Sequence, residues 1–344
     1  MRILLTNNSM AERAGTELYT YELAVRLRRL GHNPVVYSPT VGQVGQALWE
    51  LGIPVIAELS ALQESPDLIH GHHHLEAMTA CLAFPNVPAV YVCHGWLPLA
   101  EQPPTFPTIM TYIGVGPLTH ERIMTSVKLD GRPAVIVPSF FDDETIELKP
   151  EIAAVPRKAL IYNNNLDDQH PLTKAILEAC NERRIAVASI GRGFGSVTFE
   201  PGKVLREFDI VFAVGRSALE AMASGCAAIV CDSSGVAGLA TAEGLEGPGG
   251  LLNLSARSRL RVSSRAIGAE IDRYSPALIQ RASEHVRSTR PLSLAVTKFV
   301  SIYQDAIARF QEMQPCPPDQ MLADTSRYLR SLAPLLQSVV IPPQ

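Results

Sequence analysis

From Phe208 to Val230 the chain spells a strand, a glycine, a helix, a second glycine and another strand. Ile210 to Val214 is an apolar run that breaks at Gly215. Ala218, Leu219, Met222 and Ala223 then recur at helical spacing up to Gly225, a residue suited to closing a helix. Ala227 to Val230 is apolar again. Two such strands joined through a helix pair in parallel. The junction at Gly215 offers backbone N–H groups and the positive end of a helix dipole, which suits an anion. Glu220, one turn in, is placed to accept hydrogen bonds from ribose hydroxyls beside that anion. The stretch reads as a nucleotide-phosphate site on a parallel sheet.

The same alternation runs through the rest of the chain. Ile3 to Leu5 predicts a strand, and Glu17 to Leu30 a helix with Leu23, Leu27 and Leu30 on one face. Pro34 to Tyr37, Val55-Ile56, Leu68 to His70, Ala89 to Cys93, Ile113 to Gly116 and Ala134 to Val137 read as further strands. Helices fall at Val44 to Leu51 and from about Leu75. Pro138 to Pro156, polar and acidic, reads as a linker. Strands resume at Ala159 to Tyr162 and Ala186 to Gly191. Ser275 to Phe310 is helical, Gln314 to Pro318 is a proline-rich break, and Gln320 to Val339 is an amphipathic helix. Its apolar face carries Met321, Tyr328, Leu329, Leu332, Leu335 and Leu336, and it is expected to pack against the first domain or a partner subunit. The fold class is therefore α/β, with ligands at the carboxyl ends of the strands. Three segments are expected: 1–150, 151–313, and a crossover helix and tail over 314–344.

With 344 residues, two domains of ordinary size are expected. The formal charge of −4 gives no electrostatic case for nucleic-acid binding. No apolar run approaches the roughly 18 residues needed to span a bilayer. The amino terminus has no apolar core or cleavage site of a signal peptide. The six cysteines are scattered without a Cys-x-x-Cys pair, which reads as reduced, buried thiols and a cytoplasmic location.

Four segments carry a family likeness: Gly15 to Ala24 with Leu30-Gly31-His32, Asp67 to His72, Val90 to Gly95, and Leu205 to Gly225 with its following strand. Val300 to Tyr303 adds a late helix. In order and spacing they resemble the retaining glycosyltransferases of family four, whose GT-B architecture sets two facing Rossmann-like domains around an interdomain cleft. The resemblance implies transfer of a sugar from a nucleotide-diphosphate sugar to an acceptor, with no metal or cofactor. The second domain would hold the donor and the first the acceptor. Of the two glutamates usual in that family, Glu220 matches the second, and the first falls on Phe212. The arginine and lysine usual after the first strand of the second domain fall near Asn165 and His170. These departures keep two alternatives open: a degenerate member that binds a nucleotide or a protein partner, and a nucleotide-sugar epimerase of the same fold. Peripheral membrane contact and a homo-oligomer are left open as well.

Glycosyl transfer builds negative charge on the leaving diphosphate, which the protein must stabilise. Gly215, Arg216, Ser217, Glu220, Arg192 and Asn165 form the expected donor side, with Arg216 adding to the helix end and Arg192 closing a strand. Each arginine has an ordinary alternative as a solvated loop charge, and Glu220 as an exposed helix former. Gly15 lets backbone approach a ligand and Thr16 can cap its helix, so both are placed on the acceptor or phosphate side with His72. His94 is placed beside the transferred sugar by the resemblance, as the catalytic-site histidine. His70, His72 and His74 would share one face if the strand ran on. Zinc sites usually draw ligands with helical or turn spacing, so a metal is not expected there.

Overall fold

The computed structural model describes residues 1–13, 15–96, 98–198, 200–246 and 262–337, with side chains to residue 333. It divides into two units, one of Met1–Val137 with Val296–Gln344, the other of Pro138–Ala295. The divisions fall at 137 and 295 rather than at 150 and 313.

The first unit holds strands β1 (Arg2–Thr6), β2 (Asn33–Tyr37), β3 (Val55–Ile56), β4 (Leu68–His72), β5 (Ala89–Cys93), β6 (Ile109–Gly114) and β7 (Ala134–Ile136). Helices α1 (Gly15–Arg29), α2 (Gln43–Glu50), α3 (His74–Ala83) and α4 (Pro117–Ser126) alternate with them. The sheet order is β3-β2-β1-β4-β5-β6-β7, with every pairing parallel. The chain winds one way from β1 to β3, then restarts at β4 on the other side of β1. Strands β4, β5 and β6 are buried along their whole length, as a sheet covered on both faces requires.

The second unit holds β8 (Lys158–Tyr162), β9 (Ala186–Ile190), β10 (Ile210–Ala213), β11 (Ala227–Asp232) and β12 (Gly235–Leu239). Its helices are α5 (Pro171–Glu182), α6 (Pro201–Leu205), α7 (Arg216–Ala223), α8 (Ala242–Glu246), α9 (Ser264–Ile271) and α10 (Pro276–Thr289). The order is β12-β11-β10-β8-β9, parallel except for the β11–β12 hairpin. Here the reversal lies between β8 and β10. Two apolar clusters cover the two faces, one with Leu172, Ile176, Ile229 and Ile267, the other with Leu160, Leu219, Met222 and Val286.

Several local expectations change. Pro138 to Pro156 is not a solvated linker: Phe140, Phe141 and Ile146 are buried, and Phe141 exchanges backbone hydrogen bonds with Arg290 and Leu292. Leu30 is 54% exposed beyond the end of α1, while Leu23 and Leu27 are buried. The helical run after Ser275 breaks at Arg290-Pro291, since proline cannot donate within a helix, and resumes as α11 (Leu292–Glu312). The last helix, α12 (Pro318–Gln337), begins at its proline. Met321 and Tyr328 of α12 pack on the first unit's core, while Leu329 is exposed. Leu335, Leu336 and Val339 lie outside the described side chains.

Candidate functional site

In open α/β sheets, ligands gather at the carboxyl ends of strands where the winding reverses. In the second unit that point lies between β8 and β10. Gly215 follows β10 at φ +59, a conformation open to glycine, with nothing within 4 Å of where a Cβ would project. As the N-cap it supplies no side chain, and no side-chain hydrogen bond caps α7. The amide end of α7 is thus left without a side-chain cap, as an anion site would require.

The side chains around it are arranged differently from the sequence expectation. Glu220 is not on an exposed helix face: it is 4% exposed. Arg216 Nη2 donates to Glu220 Oε1 at 3.2 Å, and Tyr162 Oη, at the end of β8, donates to Oε2 at 3.3 Å. The Arg216 guanidinium also lies 5.6 Å from the centre of the Phe140 ring. Arg216 is a buried partner of Glu220, not a solvated loop charge. Ser217 Oγ donates to Val214 O at 2.9 Å, tying the helix start to the end of β10. Phe212 is buried in the core beneath, so its position faces no ligand.

The loops after β8 and β9 flank this junction. Asn163 Oδ1 accepts from Asn165 N at 2.8 Å, and Asn164 Oδ1 accepts from Arg192 N at 3.2 Å. A Cβ on Gly191 would lie 2.0 Å from Asn163 O, so only glycine lets the two loops meet. Asn165 and Arg192 are exposed at this end of the sheet. His170 Nδ1 accepts from Leu172 N at 3.1 Å and so caps α5, a structural use of that ring.

In the first unit the winding reverses between β1 and β4, and four sequence candidates collect there. Asn7, just past β1, donates through Nδ2 to Thr16 O and Thr20 Oγ1, fastening α1 beside the strand end. Thr16 is not the N-cap, because α1 already starts at Gly15. Open space lies where a Gly15 Cβ would project. Thr6 Oγ1 accepts from His72 N and donates to His72 O, locking β4 to β1.

The histidines do not share one face. His73 turns to φ +55, ψ 126, which L-residues rarely adopt, and α3 starts at His74. His74 therefore leaves the strand, and its Nδ1 meets Tyr328 Oη of α12 at 2.8 Å. His70 and His72 remain on one face, with Tyr303 Oη of α11 at 2.6 Å from His70 Nδ1. His72 is fully buried, and its Nδ1 lies 2.5 Å from His94 Nε2, the two rings meeting edge to edge with planes 24° apart. Tyr19 packs edge-on against both. Burial alone drives His70 down to about 3; burial first, then its neighbouring histidines, drive His72 well below the usual histidine range. Both rings are neutral at pH 7. His72 Nε2 is buried without a hydrogen-bond partner. A buried N–H left unpaired costs more than an empty acceptor, so the His72 proton belongs on Nδ1, donating to His94 Nε2. A neutral His94 then carries its own proton on Nδ1.

Sequence reasoning missed Glu101. It lies in a proline-rich loop after β5 and is 5% exposed. Its Oε2 accepts from His94 N at 2.9 Å, and its Oε1 lies 3.4 Å from His73 Nε2. Burial pushes its carboxyl up to about 7. An acidic residue among Pro98, Pro103 and Pro104, a few residues past His94, was the available signal. Among the described residues no group of three or more His, Cys, Asp or Glu is placed to hold a metal, and no helix is long and apolar enough to cross a membrane.

Residues 13–142 match the family model described as Glycosyltransferase Family 4. No curated protein matches the chain in sequence. Among solved structures, Alr3699/HepE of Anabaena in complex with UDP and glucose aligns with a TM-score of 0.62 at 14% identity, over 88% of this chain and 99% of that one. MurG of Acinetobacter baumannii aligns with a TM-score of 0.53 at 11% identity, over 88% and 99%. A putative UDP-N-acetylglucosamine 2-epimerase of Listeria monocytogenes aligns with a TM-score of 0.55 at 11% identity, over 92% and 99%. The chain has the mixed α/β, two-sheet fold of the GT-B glycosyltransferases. Its likeness to family four, carried by the first unit's sequence, is supported.

Proposed function

We propose that the chain is a glycosyltransferase that takes its sugar from a nucleotide-diphosphate donor and passes it, with retention, to an acceptor. The observation that carries this reading is the junction of β10 with α7. It offers an uncapped helix amide end, a glycine with open space beside it, and a carboxylate one turn in, all at the reversal of a parallel sheet. The α7 amides and Arg216 would meet the diphosphate, with Arg192 and Asn165 on the flanking loops. Glu220 would meet the ribose, exchanging its Tyr162 or Arg216 contact for a hydroxyl. The leaving diphosphate then departs into a fixed positive field, with no metal invoked. His94, with Gly15, Thr16 and His72 around it, would lie on the sugar and acceptor side. Its Nδ1–H suits a hydrogen bond to a sugar hydroxyl.

The complexes of HepE with UDP and glucose make uridine diphosphate the first ligand to test. Titration calorimetry with uridine, guanosine and adenosine diphosphates should find one that binds, and the matching sugar nucleotides should then be tested for turnover. No heat from any of the three sinks the donor assignment. A second reading is a nucleotide binder without transfer. It is favoured by Phe212 in the core, where the family carries a carboxylate, and by His170 serving as a helix cap where the family carries a cation. Binding without release of sugar from any donor selects that reading.

A further inference from the structure

Three loops meet at the reversal of the first sheet, after β1, β4 and β5, and one buried carboxylate touches two of them. Asn8 N, past β1, donates to His73 Nδ1 at 3.3 Å. That contact makes Nδ1 the acceptor and leaves the neutral ring's proton on Nε2, which faces Glu101 Oε1 at 3.4 Å. The other oxygen of Glu101 takes the backbone N–H of His94. Beyond His94, the ring contact with His72 closes the path back to β4.

The loop that carries Glu101 is itself clamped. Arg122 Nη1 donates to Gly95 O at 2.8 Å and Pro98 O at 2.9 Å, and its Nη2 donates to Gln102 Oε1 at 3.0 Å. Cys93 Sγ donates to Glu101 O. A Cβ on Gly95 would lie 2.8 Å from Pro98 Cδ and 3.0 Å from Glu101 Cγ, so the turn beside His94 closes around the carboxylate only with glycine. His73 is held at positive φ, a strained conformation for an L-residue, between the Asn8 amide and Glu101. An uncompensated buried carboxylate is costly, and here it is aimed at a backbone amide and a ring N–H.

The geometry assigns Glu101 as a positioning residue: by holding the His94 amide beside the His73 ring, it fixes the place of the His94 imidazole and so the His72 contact that sets its tautomer. The work that His94 does on a sugar rests on the transferase reading above; its positioning by Glu101 does not. The two can therefore fail separately.

The test uses the full chain with 15N-labelled histidine, His94 being assigned by loss of its signals in His94→Gln. Wild type should show His94 as the Nδ1–H tautomer. Glu101→Ala should convert it to a mixture and speed exchange of the His94 amide at least tenfold, while exchange in β5 and the circular dichroism stay as in wild type. Glu101→Gln keeps one acceptor oxygen, which cannot serve both donors. It should fold, and it should lose the pH-dependent shift of the His73 and His94 signals near pH 7 that the carboxyl produces in wild type. The titratable groups facing Glu101 are His73, His94, Cys93, Tyr91 and Arg122. Burial pushes the thiol and the phenol up and the His73 ring down to about 4, while it brings the Glu101 carboxyl up to about 7. If a transfer reaction is found, Glu101→Gln should lower kcat by tenfold or more with donor KM within twofold. Unchanged His94 tautomer and amide exchange in both variants, with only a lower melting temperature, overturns the assignment. Absence of any transfer overturns the transferase reading and leaves the histidine spectra to decide this one.

Discussion

Replacing Glu220 with alanine removes a buried carboxylate from beneath Arg216. The two side chains keep only 5% and 11% of their surface, their contact is 3.2 Å, and Tyr162 Oη uses the second oxygen. Breaking one side of a buried pair costs about 3–5 kcal/mol, because the remaining charge stays desolvated. The part of Arg216 that stays exposed relieves some of that cost. We expect Glu220→Ala to destabilise the second unit by about 2–4 kcal/mol and Arg216→Ala by about 2–3 kcal/mol. The double variant should lose less than the sum, leaving a coupling of about 1–2 kcal/mol. Both tryptophans, Trp49 and Trp96, lie in the first unit, so fluorescence does not report on this pair. Hydrogen exchange of β10 and α7 under increasing urea does. If the single effects add to within about 0.5 kcal/mol, the pair is not coupled and the argument fails. Glu220→Gln, which keeps an acceptor for Tyr162, is the better variant for measuring ribose recognition, since it separates lost affinity from lost fold.

Glu101 is raised from 4.5 to about 7, so the folded chain holds its proton where the unfolded chain does not. Its contribution to stability is full below pH 4.5 and is lost as pH rises through 7, by about 3 kcal/mol. Glu101→Gln should therefore lose less stability than wild type between pH 5 and 8 in urea melts followed by tryptophan fluorescence; an equal loss refutes the buried carboxyl. His73 is lowered to about 4, so its contribution is full above 6.5 and is lost as pH falls through 4. Replacing His73 with asparagine should blunt acid unfolding in the same assay, and an unchanged acid midpoint counts against it. On Gly71, a Cβ would lie 2.8 Å from Ala77 Cβ. Gly71→Ala should cost about 1–3 kcal/mol in thermal melts, and no change would mean that α3 yields freely. Tyr328→Phe removes the hydroxyl shared with His74 and should cost about 0.5–1.5 kcal/mol, read as faster exchange at the start of α3. Unaltered exchange there would place the α12 contact outside the stability of the first unit.

The strands and helices were legible because apolar runs, glycines and prolines act locally. The β10–Gly215–α7 junction is written in the consecutive residues Ile210 to Gly225, and it folds as its pattern reads. Partnerships were not legible. Glu220 and Arg216 are one helical turn apart, yet their mutual burial depends on Phe140, from a segment that reads as a polar linker, and on Tyr162 at the end of another strand. His74 sits two residues beyond His72, which suggests one face, but a single residue at positive φ sends it into α3. Glu101 carries no spacing signal at all. Its role appears only when the loops after β1, β4 and β5 are brought to one sheet end.

That sheet end explains why local reading located both candidate sites without resolving either. A parallel strand must be followed by a crossover, and all crossovers leave from the same end of the sheet. Where the winding reverses, two adjacent strands send their crossovers to opposite faces and leave a gap between them. In the first unit the gap falls between β1 and β4, beside Asn7, Gly15 and the histidines. In the second it falls between β8 and β10, beside Tyr162 and Gly215. Position thus follows from strand order alone, which alternation in the sequence nearly gives. Chemistry follows from which polar groups fill the gap, and the two gaps differ there. The first is filled by histidine rings that burial keeps neutral at His70 and His72 and by a carboxyl that burial pushes up to about 7. The second pairs a helix amide end with an arginine–glutamate couple. Each unit thus places a different set of polar groups at the same topological position, which is why strand order locates the gaps and only side-chain partners distinguish them.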